Sequence, residues 1–295
     1  TYNDICDLDA LIDYFKFTKP EVVFHLAAQP LVRYSYHNPV ETFQTNILGT
    51  VNVLEAIKAV GSVKSVVNIT TDKVYWDKQW NWPYREIDRL GGKDPYAASK
   101  ACAEIISTSY YESFFRKNNI KLATVRAGNV IGGGDLSRDR LIPDIVRAIQ
   151  SKEKVFIRNP SSTRPWQHVF EPISGYLKVA ERLFQSGAKD NDCWNFGPNN
   201  SDIRTVEEIT ELFLASWGIE NIIDFDIDKV MADCKYNGVF KFRNIVIDNN
   251  DKIGGQFLMQ THQFFFFEKE KKFGGMRGFD IAETLAGEKR GGIML

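Results

Sequence analysis

Thr71, Asp72 and Lys73 set a hydroxyl, an acid and an amine side by side, directly after the apolar run KSVVNIT. Further along, Tyr96 and Lys100 stand four residues apart in DPYAASKACAE. On a helix, positions i and i+4 share a face, so the Lys100 ammonium can sit near the Tyr96 phenol. A positive neighbour and a helix N-terminus both favour phenolate, lowering a pKa that starts near about 10. The expected product of that pairing is a base able to take a proton from a sugar hydroxyl.

These groups need elements to carry them. Residues 21 to 28, EVVFHLAA, read as a short buried strand, and residues 39 to 60 have helical periodicity, with Pro39 in the first turn and Gly61 just past the end. A strand follows (KSVVNIT), then a long loop, a helix from Pro95 to about Lys117 and a strand KLATVRA. Asp94 can cap that helix and Pro95 fits its first position, which puts Tyr96 in the first turn. Strands alternating with helices in this way imply an α/β fold with a doubly wound parallel sheet. Such sheets bind ligands at the carboxyl ends of their strands, where Thr71-Asp72-Lys73 falls.

The second half is less regular. GNVIGGGDLSRDRLIPD reads as a glycine-rich loop leading to a helix, KVFIRNP and DCWNFGP as strands, and Ile173 to Phe184 as a helix. The GGGD at 132 to 135 lacks the G-x-G-x-x-G spacing of a phosphate loop, so a flexible loop is the expectation. The chain divides into a sheet domain over residues 1–128, a smaller mixed α/β lobe over 129–225 with some segments returning to the sheet, and a tail over 226–295. The tail loses clear periodicity and is expected to be poorly ordered.

Bulk properties narrow the function classes. The 295 residues are 43% hydrophobic and 25% charged, with a formal net charge of -1, which gives no reason to expect nucleic acid or an anionic membrane as partner. No apolar run approaches the ~20 residues that span a bilayer. Asp4, Asp7, Asp9 and Asp13 stand where a signal peptide would be basic and then apolar. Cys6, Cys102, Cys193 and Cys234 are scattered and read as reduced thiols, and the four histidines form no metal-binding pattern, so no metal is expected.

The stretches HLAAQPLVRYSY, TTDKVY, WPYREIDRLGGKDPYAASKACAE, RAGNVIGGGD, DRLIPD and IRNPSSTRPWQHVFEPISGYL occur in an order and at spacings that resemble the extended short-chain dehydrogenase/reductase family, in particular its nucleotide-sugar dehydratases and epimerases. The resemblance covers roughly residues 4 to 220. It implies an NAD-binding, Rossmann-like sheet lacking its first βαβ unit, because the family's Gly-rich unit has no counterpart here, nor has its C-terminal segment. The chain is therefore expected to be a fragment. The resemblance also implies NAD as cofactor, a nucleotide-sugar substrate, a cytoplasmic setting and a homodimer when full length, with the helices at 39 to 60 and 95 to 117 pairing across a two-fold axis.

Carried over position by position, the resemblance implies adenine contacts from Asp4 and Ile5 and a strand-end wall of Leu26, Ala27, Ala28 and Gln29. Tyr96 and Lys100 would hold the nicotinamide ribose, while Asn129, Arg158, Arg164 and His168 would bind substrate. Arg164 suits a pyrophosphate because its fork can bind oxygens in pairs. Dehydration of a hexose requires oxidation at C4, loss of water across C5 and C6, and hydride return to C6. Thr71 would bind the C4 oxygen while Tyr96 takes its proton, and Asp72 would protonate the departing C6 hydroxyl. Most related dehydratases carry Glu after this acid and those acting on CDP-glucose carry Lys, so the resemblance points to CDP-glucose. Lys73 can be the C5 base only if neutral, and burial with nearby positive charge would lower its pKa from about 10.4. The other role open to it is to stabilise the enolate. Epimerisation, another nucleotide, and an inactive scaffold stay open as alternatives.

Overall fold

Asp7 opens the first helix by accepting the Ala10 N–H at 3.0 Å, and α1 (Leu8–Thr18) buries Leu11 and Phe15. The computed structural model describes residues 4–78, 80, 82–185, 191–199, 202–219, 223–225, 272–273, 276–277 and 292–294. Strand β1 (Val22–His25) is followed by two short helices, α2 (Val32–His37) and α3 (Pro39–Phe43). The helix expected over 39 to 60 is present but not uniform. A π turn, Gln44–Leu48, joins α3 to α4 (Gly49–Val60) with helical dihedrals on either side. It ends at Gly61, whose φ of 65° is left-handed and suits glycine.

Strand β2 (Ser65–Ile69) leads through a short 3₁₀ turn, Asp72–Val74, to α5 (Pro95–Tyr110), which runs on into a second π turn, Tyr111–Phe115, before β3 (Lys121–Ala127). The segment expected to be all loop starts with β4 (Asn129–Ile131) and enters α6 (Leu141–Ser151). Three short strands, β5 (Val155–Ile157), β6 (Thr163–Arg164) and β7 (Trp166–His168), precede α7 (Phe170–Phe184), which starts three residues before the expected Ile173. Next come β8 (Asn191–Phe196), β9 (Arg204–Thr205), α8 (Val206–Ser216) and β10 (Ile223–Phe225). The expectation of a poorly ordered tail falls largely outside the described residues, apart from residues 272–273, 276–277 and 292–294.

The main sheet is parallel, with β1, β2, β3 and β8 side by side and the strand Gly292–Met294 on the free edge of β1. β8 thus brings part of the second half back to the sheet. Helices cover both faces. Ser65, Val67, Ala123, Val125 and Ala127 face α7, whereas Val23, Val66 and Leu122 face the other way, packing with Leu54, Ile57 and Phe115 from the α4 and α5 segments. Two rows cross this second face in register. Val23, Val66 and Leu122 make an apolar row, and two residues along, His25, Asn68 and Thr124 make a polar one nearer the strand ends. Each polar member is met from a helix: Thr50 lies 3.1 Å from His25, Ser107 Oγ accepts from Asn68 Nδ2 at 2.8 Å, and Glu104 accepts from Thr124 at 2.8 Å.

The polar row sets an acid sensitivity. Burial, with Lys100 nearby, lowers the His25 pKa from 6.5 to about 3. The unfolded chain therefore binds more protons than the folded one between those values. The His25 contribution is intact above pH 6.5 and is lost as pH falls toward about 3. Chemical denaturation across that window is expected to give a stability slope of up to about 1.4 kcal/mol per pH unit from this residue. His25→Asn should flatten it, and an unchanged slope would locate the sensitivity elsewhere.

The smaller lobe is built from two-stranded pairs: β4 with β7, β5 with β10 and β6 with β9. Ile145 of α6, Val155 and Ile157 of β5 and Leu214 of α8 form its buried cluster.

Candidate active site

The triplet sits where the sheet ends. Thr70 extends the ladder one residue past β2 by donating its N–H to Val125 O at 2.8 Å. Thr71 then adopts an extended backbone and caps the 3₁₀ turn, its Oγ1 accepting from the Lys73 N–H. Beyond the turn Tyr75 is buried and stacks on Tyr84 with ring centroids 5.0 Å apart. The Thr71 hydroxyl donates to Asp72 Oδ1 at 3.0 Å. Asp72 is only 1% exposed, and its other oxygen, Oδ2, is buried with no protein partner. A buried carboxylate oxygen without a donor is costly unless it holds a proton or meets a ligand.

Helix α5 delivers the second pair. Asp94 caps it by accepting the Ala97 N–H at 2.9 Å, as expected, and the Tyr96 N–H donates to Ser35 Oγ at 3.2 Å. Tyr96 is hydrogen-bonded with Thr71, so the two candidate groups meet. The expected lowering of the Tyr96 pKa is corrected here: it is pushed up to about 12. Burial is the main cause, with Asp72 and Asp94 adding to it, and it outweighs the opposing Thr71 bond and the Arg140 charge. Lys100 is also fully buried, and burial brings its pKa down to about 8 against the opposing pull of Glu104. Its Nζ donates to Ile69 O at 2.8 Å, anchoring α5 to the end of β2. Lys73 has a side chain 25% exposed, with Nζ 3.7 Å from Asp72 Oδ1, so the burial expected of it is only partial and its printed ion-pair partner is a carboxylate.

Three charged residues near these groups escaped the sequence reading. Glu104 and Arg126 form a buried ion pair beneath the turn, with Arg126 Nη2 donating to Glu104 Oε2 at 2.6 Å. Arg140, held to Asp135 at 3.3 Å, brings positive charge to Tyr96. The signal for Glu104 was available, since it lies one turn beyond Lys100 in SKACAE.

At the end of β1, Leu26 is exposed and Ala27 and Ala28 are half-buried. The Gln29 side chain is committed to the protein: it donates to Thr42 at 2.8 Å and accepts the Leu31 N–H at 2.6 Å. Asn46 closes the same loop by bonding both the Gln29 N–H and its carbonyl. Asp4 is exposed and accepts the Cys6 N–H, whereas Ile5 is buried against Gly49, where a Cβ would come within 2.4 Å of Ile5 Cδ1.

The lobe residues lie on different ladders. Asn129 and His168 belong to the β4–β7 pair, Arg164 faces Arg204 in the β6–β9 pair, and Arg158 is exposed just after β5. Asn129 Oδ1 is a second buried acceptor without a protein partner. His168 is exposed, with Nδ1 accepting the Phe170 N–H at 3.2 Å, and Arg164 Nη1 donates to Thr163 O.

Comparison with known proteins draws on the whole of this region. The family model described as GDP-mannose 4,6 dehydratase matches residues 1–232. The CDP-glucose 4,6-dehydratase of Salmonella typhimurium is 53% identical over 220 residues, which are 73% of this chain and 61% of that protein. The chain thus spans less than two thirds of that relative's length. Among solved structures, the dTDP-glucose 4,6-dehydratase of Streptomyces venezuelae with NAD bound aligns with a TM-score of 0.64 at 24% identity, covering 77% of this chain and 66% of that one. The UDP-glucose 4-epimerase of Thermotoga maritima aligns with a TM-score of 0.69 at 22% identity, covering 81% and 74%. These two likenesses establish the fold.

Proposed function

The chain belongs to the GDP-mannose 4,6 dehydratase family, and on that footing we propose that it dehydrates CDP-glucose to CDP-4-dehydro-6-deoxy-glucose with NAD as cofactor. The observation that carries this reading is the buried, unpartnered Oδ2 of Asp72, next to the Thr71 and Tyr96 hydroxyls and followed by Lys73. An epimerase has no use for an acid at this point, because it expels no hydroxyl. The 53% identity to a CDP-glucose 4,6-dehydratase supports the choice of nucleotide.

The residues present fit NAD. Ala27 and Ala28 leave room beside exposed Leu26 at the end of β1, and Tyr96 and Lys100 stand at the next strand end to hold the nicotinamide ribose. Gln29 keeps that wall in shape through its bonds to Thr42 and Leu31, and Asp4 with Ile5 would border the adenine. NAD, when bound, takes the C4 hydride and later returns it to C6, and its oxidised ring adds positive charge that favours the Tyr96 phenolate.

Thr71 binds the C4 oxygen and Tyr96 removes its proton. The ketone at C4 acidifies the C5 hydrogen, which Lys73 removes, and Asp72 gives its proton to the departing C6 hydroxyl. Asn129, with its free Oδ1, and Arg158, Arg164 and His168 hold the nucleotide sugar from the lobe. Incubation with CDP-glucose, dTDP-glucose and GDP-mannose, followed by product analysis, tests the reading. A 4-keto-6-deoxy sugar from CDP-glucose is expected, whereas a C4 epimer would replace the reading with an epimerase.

Lys100 acts here only as an ammonium. It faces the buried His25 from β1 and Glu104 on its own helix. As it loses its proton through about pH 8, kcat/KM is expected to fall on the alkaline side with that midpoint, and Lys100→Arg should move the limb to higher pH. A limb that stays in place would assign it to another group.

The assembly proposed is a homodimer through the α3–α4 and α5 helices. Of the apolar residues singled out there, Leu54 is in the core and Ile106 and Tyr110 pack against it, which leaves Ile105, at 59% exposed, and Phe114, joined by Leu48, at 54%. An exposed apolar patch on two adjacent helices suits a two-fold, self-complementary contact. Light scattering at micromolar concentration should give a dimer, and Leu48→Glu with Ile105→Glu a monomer. A cytoplasmic setting is part of the same proposal, and the free thiols of Cys6, Cys102 and Cys193 support it. Cys234 lies outside the described residues.

A further inference from the structure

The turn that carries Thr71, Asp72 and Lys73 is held at both ends by one buried ion pair. On its upstream side, Thr70 Oγ1 donates to Glu104 Oε1 at 2.5 Å and lies 3.1 Å from Val125 O. On its downstream side, Arg126 Nη1 donates to the Tyr75 hydroxyl at 2.7 Å, and Tyr75 in turn donates to Asn195 Oδ1 at 2.6 Å. Glu104 and Arg126 are joined by two bonds, Nε to Oε1 at 2.7 Å and Nη2 to Oε2 at 2.6 Å. Thr124 satisfies Glu104 Oε2 as well, and Arg126 Nη1 also reaches Glu86 O. The pair is 3–4% exposed, so its geometry is set by the protein and not by water. Glu104 is also one helical turn from Lys100 and two from Tyr96, so the same carboxylate ties the helix of the Tyr-Lys pair to the turn.

We infer that Glu104 and Arg126 are positioning residues for catalysis, a clamp that fixes the Thr71–Lys73 turn against α5 through Thr70 and Tyr75. Neither residue touches the reacting atoms. The clamp acts by holding the acid, the hydroxyl and the amine at one distance from Tyr96, and small displacements of such groups are expensive in rate. An ion pair with a fixed fork specifies direction as well as distance, which an apolar contact at this place would not.

The kinetic part rests on the proposed dehydration, so the test has an arm that does not. Thr70→Val and Tyr75→Phe each remove one clamp bond while keeping the shape and the ion pair. By hydrogen exchange on the full-length protein, the amides of residues 71–74 are expected to open about tenfold more often in either variant, while those of α1 and α8 stay as they were. In turnover of CDP-glucose, kcat per folded, NAD-loaded site should fall about tenfold or more with KM held within about threefold. Glu104→Gln should add little further loss in the Thr70→Val background, because both cut the same link. Unchanged exchange over 71–74, or a loss spread evenly through the chain, overturns the clamp whatever the substrate. Unchanged kcat with only a lowered melting temperature also overturns it. If the unmutated protein turns over no CDP-glucose, that reading fails alone and the exchange arm decides the clamp.

Discussion

A Lys73→Met enzyme is expected to oxidise its substrate at C4 at close to the normal rate and then to stall. Thr71 and Tyr96 are left intact, so the absorbance of reduced nicotinamide should appear in a single turnover as before. Loss of water should drop by about 10²–10⁴-fold, the usual worth of a general acid or base. Exchange of the C5 hydrogen with deuterated solvent should fall in parallel. Asp72→Asn is the companion variant: it should block water loss too, yet spare C5 exchange if elimination is stepwise. The structure sharpens the question, because Lys73 lies 3.7 Å from Asp72 Oδ1 and is partly open to solvent. An amine paired with the acid can take the C5 proton only if Asp72 carries a proton of its own, as the departing hydroxyl also requires. Dehydration at the unmutated rate in Lys73→Met would make the lysine a bystander.

The largest expected effect on stability is at Arg126. Arg126→Met leaves the Glu104 carboxylate buried without its cation, and breaking a buried pair from one side typically costs about 3–5 kcal/mol. For a chain of this size that lowers the melting temperature on the order of 10 °C. Replacing both partners, with Glu104→Gln beside Arg126→Met, should recover much of the loss because no uncompensated charge remains. Thermal unfolding by calorimetry separates these outcomes. If the single and double variants melt alike, Glu104 is being satisfied by Thr70 and Thr124 alone.

Strands and helices of the sheet half were legible because their signals are local. Lys121–Ala127 is the strand KLATVRA as read, and Asp94 with Pro95 opens α5 as their types require. The pairing of Tyr96 with Thr71 was also legible, since both lie at sheet ends that the alternation of elements brings together. What escaped depends on burial, which no spacing encodes. The Tyr96 phenol was expected to be acidified by Lys100, but the Lys100 ammonium is turned to Ile69 O and desolvation governs the phenol. Arg126 reads in sequence as one polar residue in a strand, and only the depth of α5 over β3 turns it into an ion-pair partner for Glu104. The short helices α2 and α8 have weak or brief apolar periodicity and take their stability from what they pack on.

The π turn at Gln44–Leu48 has a consequence for how this gene can change length. A π turn is one residue wider than an α turn, so deleting one residue there would restore an unbroken α-helix and improve its local hydrogen bonding. It would also rotate everything after it by about 100° relative to what precedes. Asn46 now reaches Gln29 and Ser99 while Thr50 reaches His25, and no single rotation of the later half keeps both sets. Most helices resist insertions and deletions alike because either spoils their hydrogen bonds. In this one a deletion would make a better helix and a worse protein, so alleles shortened at this turn should be purged even though their secondary structure is more regular.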